Sequence, residues 1–544
     1  MHTMSILAPF LGGLGLFIYA MQVLAKGLED AAGNKLKKLL QALIKNKFMG
    51  VLLGFGVTAI IQSSTTTTVM VVGFVNSGVM SLSQAIGVIM GANVGTTLTA
   101  WIIASGEWAS FLNPNTYAPI AIAVGVFMML LSRRKASKDL SNILLGFGML
   151  MVGISTMSSA VSPLRDSEAL HNLFVYFGEN PILGILAGAI VTVIVFSSTA
   201  SVGILQSLAL VGLVPFNAAI YIIMGQNIGT TVTALLSSIG AKKAAKTAAL
   251  MHLFFSVFGT LIFVVVALVM FNVVDPSLGS RSISQTEISI AHTVFNVGSL
   301  IILYPFSEFL VKLSKKISGV KEVELAENKL HLDERVLETP AIALQASVDE
   351  IGRMGTMVAG ILEKSEKVIF KDKPNLIKAV FEEERQIDHL CHEASDYLIK
   401  ISSRSNNEAD VRQVADLLSV ISDIERISDC CENIAEAANH LSQLKNTFSD
   451  VAREELEKMA QVCVDSYRYA LEAFSNDDKE IARKAIDMER RADELEESMR
   501  SAHMKRLSSK TCNSAVGVIF LDVVVNLERI SDHSKNIAEV VLAE

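Results

Sequence analysis

Between Ile60 and Met70 the chain reads IIQSSTTTTVM, so that the apolar stretch 48–61 runs straight into seven hydroxyl or amide side chains. A buried hydroxyl without a partner costs on the order of 1–3 kcal/mol, and seven in succession need a use. Hydroxyls donate and accept hydrogen bonds alike. Freed carbonyls with Ser, Thr and Asn oxygens suit a hard cation such as sodium, and the free N–H groups of a half-helix N-terminus suit an anion. A second run, FSSTAS from Phe196, offers the same chemistry. Each run precedes a polar interruption of a later apolar segment, GANVGTTLTA from Gly91 and GQNIGTTVTA from Gly225. The plainer reading is that Ser, Thr and Gly let transmembrane helices pack closely. Two matched pairs of runs favour a transport site. Asn93 and Asn227 precede the GTT triplets, where a broken helix can restart and Asn can serve as N-cap.

A different chemistry lies near the C-terminus. Glu384 and Asp388, Glu425 and Asp429, Glu489 and Asp493, and Glu528 and Asp532 are each four apart, a spacing that shares a helix face. Carboxylate pairs on neighbouring helices of a bundle can converge on a metal, and oxygen ligands suit Fe or Mn, with Zn also in range. The plainer reading is a solvated acidic face bonded to Arg385, Arg426, Arg490 and Arg529.

The elements that must position these groups follow from hydropathy and charge. Residues 1–316 carry 18 Lys and Arg against 10 Asp and Glu, whereas residues 317–544, by subtraction from the totals of 47 and 55, carry 29 against 45. All long apolar segments lie in the first part, which reads as a membrane domain, and the second reads as soluble, acidic and helical. The five Cys lie in the second part without the paired spacing of secreted scaffolds, which fits a reducing compartment. The first apolar segment lacks a signal-peptide start and cleavage site and is expected to remain as a membrane helix.

The membrane part is a duplication. GLGLFIYAMQVL from Gly13 matches GFGMLMVGISTM from Gly146, and the two polar runs and the two G-x-N-x-G-T-T segments recur at offsets of 133 to 134 residues. A span needs about 20 apolar residues. Full crossings are therefore expected at 4–25, 82–104, 117–131, 140–160, 217–239, 248–271 and 287–311, with 82–104 and 217–239 broken midway. Re-entrant hairpins are expected at 48–76 and 182–205. The basic segments Lys26–Lys47, Arg133–Lys138, Lys242–Lys246 and Lys312–Lys316 then share one face, the cytoplasmic one. The N-terminus lies outside, and the hairpins of two inverted repeats enter from opposite faces. Trp101 and Trp108 read as interfacial anchors, and His252 and His292 as structural histidines.

Together with MSSAVSPL and AHTVFNVG…YPF, these segments resemble the type II sodium/phosphate cotransporter family in its bacterial form, over nearly all of residues 1–316. The resemblance implies sodium-coupled transport of inorganic phosphate across a bacterial inner membrane. It also implies a central substrate and sodium site of Gln62, Ser63, Ser64 and Thr65 with Ser197, Ser198 and Thr199. Asn93, Thr96, Asn227 and Thr230 are further candidates. The family pattern has Gln in both hairpins, and Phe196 departs from it. The first hairpin is therefore expected to supply most polar contacts, with Phe196 filling space with apolar surface. Sodium stoichiometry and direction stay open, and export is an alternative.

After Lys316 apolar residues recur at helical spacing. DIERISDCCENIAEAA from Asp423 matches NLERISDHSKNIAEVV from Asn526 at an offset of 103. Two three-helix units fit, at 334–369, 374–404 and 408–443, then 447–475, 477–507 and 510–542. This region resembles PhoU-type domains, which implies phosphate regulation and metal binding at Glu384, Asp388, Glu425, Asp429, Glu489, Asp493, Glu528 and Asp532. The expected fold is all-α. A transport domain over 1–316 holds inverted repeats at about 4–138 and 139–271, and a linker over 317–333 leads to a cytoplasmic pair of three-helix bundles over 334–544. The partners expected are phosphate, sodium and the bilayer, not nucleic acid, with oligomeric state left open. No Gly-rich lysine loop, HExxH or G-x-S-x-G is present, so an enzyme is not expected. A membrane-anchored regulator with little transport is the competing class.

Overall fold

The computed structural model describes residues 2–32, 47–108, 114–132, 134–165, 167–319, 331–370, 374–405, 407–509 and 512–543. Most of the basic segment 26–47, Arg133, the loop 109–113 and linker residues 320–330 lie outside the described residues, as does the side chain of Trp108. The chain forms two compact units, Met1–Leu325 and Ala326–Glu544. Among the described residues there are no strands, only an isolated bridge between Pro215 and Ser282.

The first unit contains α1 (His2–Ala32), α2 (Lys47–Ile61), α3 (Ser64–Ser77), α4 (Leu82–Trp108), α5 (Pro114–Leu131), α6 (Lys135–Val161), α7 (Glu168–Glu179), α8 (Pro181–Val195), α9 (Ser198–Leu210), α10 (Phe216–Ser237), α11 (Lys243–Val269), α12 (Gln285–Leu303) and α13 (Ser307–Ser318). Six of the described helices are long and apolar enough to cross a membrane, while Lys47–Ile61, Tyr117–Leu131 and Ser198–Leu210 are shorter. Each hairpin is two short helices, α2 with α3 and α8 with α9.

Three expectations are corrected. The segments 82–104 and 217–239 are not broken, because α4 and α10 run straight through GANVGTT and GQNIGTT. The last apolar segment, 287–311, ends at Leu303, where Pro305 removes a backbone donor, and α13 follows separately. Between the crossing expected at 140–160 and the hairpin expected at 182–205, where no element is expected, lies α7, which meets α8 at 112°.

The two repeats share a packing scheme. Arm α2 lies on α4 and α8 lies on α10 at glycine contacts. A Cβ on Gly54 would collide with the Val88 carbonyl, and one on Gly91 with that of Val51. At the matching positions, Gly188 meets the Ile222 carbonyl and Gly225 that of Ile185. Return helices α3 and α9 cross over: α3 packs on α4 and α10, and α9 on α10 and α4.

Both ends of the first hairpin are tied near the basic segments. The Lys47 ammonium donates to Ser307 Oγ at 2.8 Å and pairs with Glu308 at 2.7 Å, and the Lys242 N–H donates to Asn76 at 2.8 Å. The segment that follows the second hairpin is tied to the turn before α12: the Phe216 N–H donates to the Arg281 carbonyl at 2.8 Å and the Ile283 N–H to that of Val214 at 3.0 Å. The first hairpin is thus tied to the starts of α11 and α13, and the segment after the second hairpin to the turn that leads into α12.

The second unit contains α14 (Pro340–Phe370), α15 (Pro374–Arg404), α16 (Glu408–Gln443), α17 (Asp450–Asn476), α18 (Lys479–Ser508) and α19 (Ser514–Ala543). They pack as two three-helix bundles joined mainly through α16 and α19. Asp423 bonds Asn536 at 3.1 Å, and Asn433 bonds Asn526 at 3.1 Å. Shifting one contact by 103 residues generates the other, the mark of a duplication whose halves face each other.

Candidate functional site

The polar runs begin where the chain turns inside each hairpin. Gln62 and Phe196 end α2 and α8 in the left-handed region, with φ of 56° and 54°. Ser63 and Ser197 follow in extended backbone and cap α3 and α9: Ser63 Oγ accepts from the Thr66 N–H at 3.1 Å, and Ser197 Oγ from the Ala200 N–H at 3.1 Å. A sequence that turns from apolar to Ser-rich thus stops one helix and caps the next. The hydroxyls just after the caps are spare. Ser64 and Thr65, like Ser198 and Thr199, have no side-chain hydrogen bond to protein among the described residues, although Ser64, Ser198 and Thr199 are buried. Unpaired hydroxyls on largely buried residues at two helix N-termini form a surface that can donate to an oxyanion or accept a cation.

The rest of the candidate set behaves differently. Asn93 and Asn227 donate to the carbonyls of Ile89 and Ile223, each at 2.9 Å, and Thr96 and Thr230 bond back to Ala92 and Gln226. Their donors are satisfied within unbroken helices, so the Asn N-caps expected there are absent. The matching glycines serve close packing, with Gly95 against the Thr58 side chain and Gly229 against Thr192. Gln62 is 6% exposed, its amide donating to Ala59 and its oxygen accepting from Thr99 at 2.8 Å. Phe196 is 59% exposed, so the ring lies on the surface of the unit and does not fill the interior. A further asymmetry follows the same offset. Thr58 donates to Thr67 at 3.0 Å between the arms of the first hairpin, whereas Ser201, at the position of Thr67, has an unpartnered hydroxyl.

A buried polar stripe escaped the sequence reading. On α11, His252 Nδ1, Ser256 and Thr260 lack partners at positions i, i+4 and i+8, and on α12 so do His292 Nδ1 and Ser299. Ser299 lies against Gly259, and His252 Nε2 is 3.4 Å from Asn93 Oδ1. The four-residue spacing in MHLFFSVFGT is the signal that could have found it. Trp101, read as an interfacial anchor, instead donates its indole N–H to Thr293 at 3.0 Å and ties α4 to α12.

In the second unit the carboxylates separate by bundle. Oxygens of Glu489, Asp493 and Asp532 lie within 4.8 Å of one another, a metal-sized group, and Glu489 also holds Lys535 at 2.7 Å. Burial and the neighbouring Asp532 and Asp493 push Glu528 up to about 7. Glu384, Asp388, Glu425 and Asp429 share one acidic neighbourhood, where burial and then Glu432, Asp429 and Asp388 push Glu384 up to about 7. Burial likewise raises Glu425 and Asp429. These four form no comparably tight group among the described residues.

Residues 16–159 and 162–275 match the Na+/Pi-cotransporter family, and residues 351–438 and 456–541 match the PhoU domain. A Salmonella typhimurium protein named for inorganic phosphate export, YjbB, is 25% identical over 99% of this chain and 98% of its own length. Sodium-dependent phosphate transport protein 2A of Rattus norvegicus is 38% identical over 17% of this chain and 15% of its own. A PhoU homolog of Xylella fastidiosa, a phosphate-specific transport system accessory protein, is 29% identical over 37% of this chain and 83% of its own.

Proposed function

Because the chain belongs to the Na+/Pi-cotransporter family and carries PhoU domains in its C-terminal region, we propose that it moves inorganic phosphate across a bacterial inner membrane together with sodium. The observation that carries this reading is the pair of spare hydroxyl sets, Ser64 with Thr65 and Ser198 with Thr199, at the capped N-termini of α3 and α9. Helix N-termini favour the anion, and hydroxyl oxygens with the carbonyls around the turns favour sodium. The family's task is transport, and no catalytic step is assigned. The two repeats are read as inverted, with the N-terminus outside and the basic segments and PhoU region on the cytoplasmic side. That reading draws on the cluster of Lys47, Lys242 and α13 at the ends of the first hairpin, and on the bonding of the segment after the second hairpin to the turn before α12. Glu489, Asp493 and Asp532 are proposed to bind a transition metal.

The second reading is export, favoured by the name of the relative that matches along its whole length. Phosphate flux in proteoliposomes under sodium gradients of either sign tests both. Flux that follows the sodium gradient supports coupling, outward-only flux supports export, and no flux in either direction favours a membrane-anchored regulator.

A further inference from the structure

Between α10, α11 and α12 lies a cavity of about 440 Å³ whose wall is almost wholly apolar. Its one polar edge is Arg281 with Glu287, in and just after the segment joining α11 to α12. Val266 on α11 and Met270 just after it, with Ile290 and Val294 on α12, line it and are also exposed on the outside of the unit, so it opens sideways between two long apolar helices. Beside the opening α11 widens into a π-helical turn at Met270–Val274, where Phe271 packs edge-on against Phe216 and Tyr221. An apolar cavity of this kind stays dry and takes an apolar occupant. In a membrane the neighbour at a sideways opening is a lipid tail.

The polar edge says which lipid. The Arg281 guanidinium is 2.6 Å from Glu287, lies over the Phe216 ring at 5.5 Å, and is half exposed. A cation and an anion side by side complement a headgroup that also carries both. Guanidinium binds a phosphodiester through paired N–H donors, and a primary ammonium can donate to the Glu287 carboxylate. A headgroup with net negative charge would face that carboxylate unpaired, and a trimethylated amine has no proton to give it.

We propose that the cavity holds an acyl chain of a membrane phospholipid whose phosphoethanolamine headgroup docks on Arg281 and Glu287. The site is independent of the transport hydroxyls, although Met224 in its wall precedes Asn227 by three residues on α10.

The test uses the full-length protein, purified in detergent and stripped of lipid. Phosphatidylethanolamine, phosphatidylcholine and phosphatidylglycerol with identical chains are added, and native mass spectrometry and the melting temperature are read. Wild type is expected to retain one phosphatidylethanolamine and to melt higher with it than with the other two. Val294→Trp, which blocks the opening from an exposed position, should abolish both effects, with Ile290→Trp as the second variant should the first not fold. Arg281→Gln should keep a bound lipid but lose the headgroup ranking. Equal retention in the blocked variants, an unchanged ranking in Arg281→Gln, or full protection by detergent alone would each overturn the proposal.

Discussion

Gln62 and Phe196, 134 positions apart, adopt the same left-handed backbone while their side chains go opposite ways, one into the protein and one onto its surface. Left-handed backbone costs a non-glycine residue roughly 1–2 kcal/mol, and both hairpins accept that strain to make the turn. In the first hairpin the side chain then bridges α2 and α4 through Ala59 and Thr99. Gln62→Ala removes both hydrogen bonds and is expected to lower phosphate flux by about tenfold or more, since each ~1.4 kcal/mol added to a barrier is tenfold in rate, and to alter its sodium dependence. Phe196→Gln should retain flux. Phosphate flux against sodium concentration decides, and a wild-type sodium curve in Gln62→Ala would remove the first polar run from coupling.

Capping and spare hydroxyls should separate in experiment. Ser63→Ala and Ser197→Ala remove N-caps and should cost about 1 kcal/mol of stability each, read as a lower melting temperature. Ser64→Ala and Ser198→Ala break no protein hydrogen bond, so the melting temperature should hold while flux falls severely. Unchanged flux in both would leave these hydroxyls a packing role only.

Close packing of α2 on α4 and of α8 on α10 makes a third expectation. Gly91→Ala or Gly225→Ala drives a methyl into a backbone carbonyl, and overpacking of this kind costs about 1–3 kcal/mol or more. Gly15→Ala, with open space around it, should be tolerated. The yield of folded protein in detergent compares the three, and equal yields would contradict the contact.

The carboxylates should divide by bundle. Asp493→Asn with Asp532→Asn is expected to lower the metal content of purified residues 326–544 more than Glu425→Gln with Asp429→Asn, since only the former set converges. Metal analysis finding the same low content in wild type and both variants would exclude a site.

Without metal the same region should prefer acid. Glu384 and Glu528 titrate at about 7 in the folded chain, against an ordinary glutamate value of 4.5. Folding therefore holds protons that the unfolded chain releases. The stability so gained is complete below about 4.5 and is lost as pH rises towards 7. The melting temperature in chelator should be higher at pH 5 than at pH 8, and manganese at pH 8 should restore part of the loss. A flat profile would mean that the acidic faces are simply solvated.

Much of this arrangement was legible. The offset of 134 emerges from three blocks in one order, and the switch to hydroxyls at Gln62 places a turn that the structure puts at the same residue. The C-terminal helices fall within a few residues of the spans that amphipathic spacing gives. The continuity of α4 and α10 was not legible, because Asn93 and Thr96 satisfy themselves on their own helix and a polar run looks alike in either case. Nor could residue type say that Phe196 faces outward, since the direction of a side chain at a left-handed turn is set by the turn. The stripe from His252 to Thr260 stayed hidden because its members are few and lie among apolar residues.

The glycine contacts between α2 and α4, and between α8 and α10, have a mechanical corollary. Backbone laid on backbone leaves no side-chain layer to shear, so each arm and its long helix behave as one welded plate. Where α3 crosses onto α10 and α9 onto α4, the contact passes from one repeat to the other. Those two crossings are the joints at which one plate can turn on the other, and the spare hydroxyls sit at the leading ends of the two helices that form them.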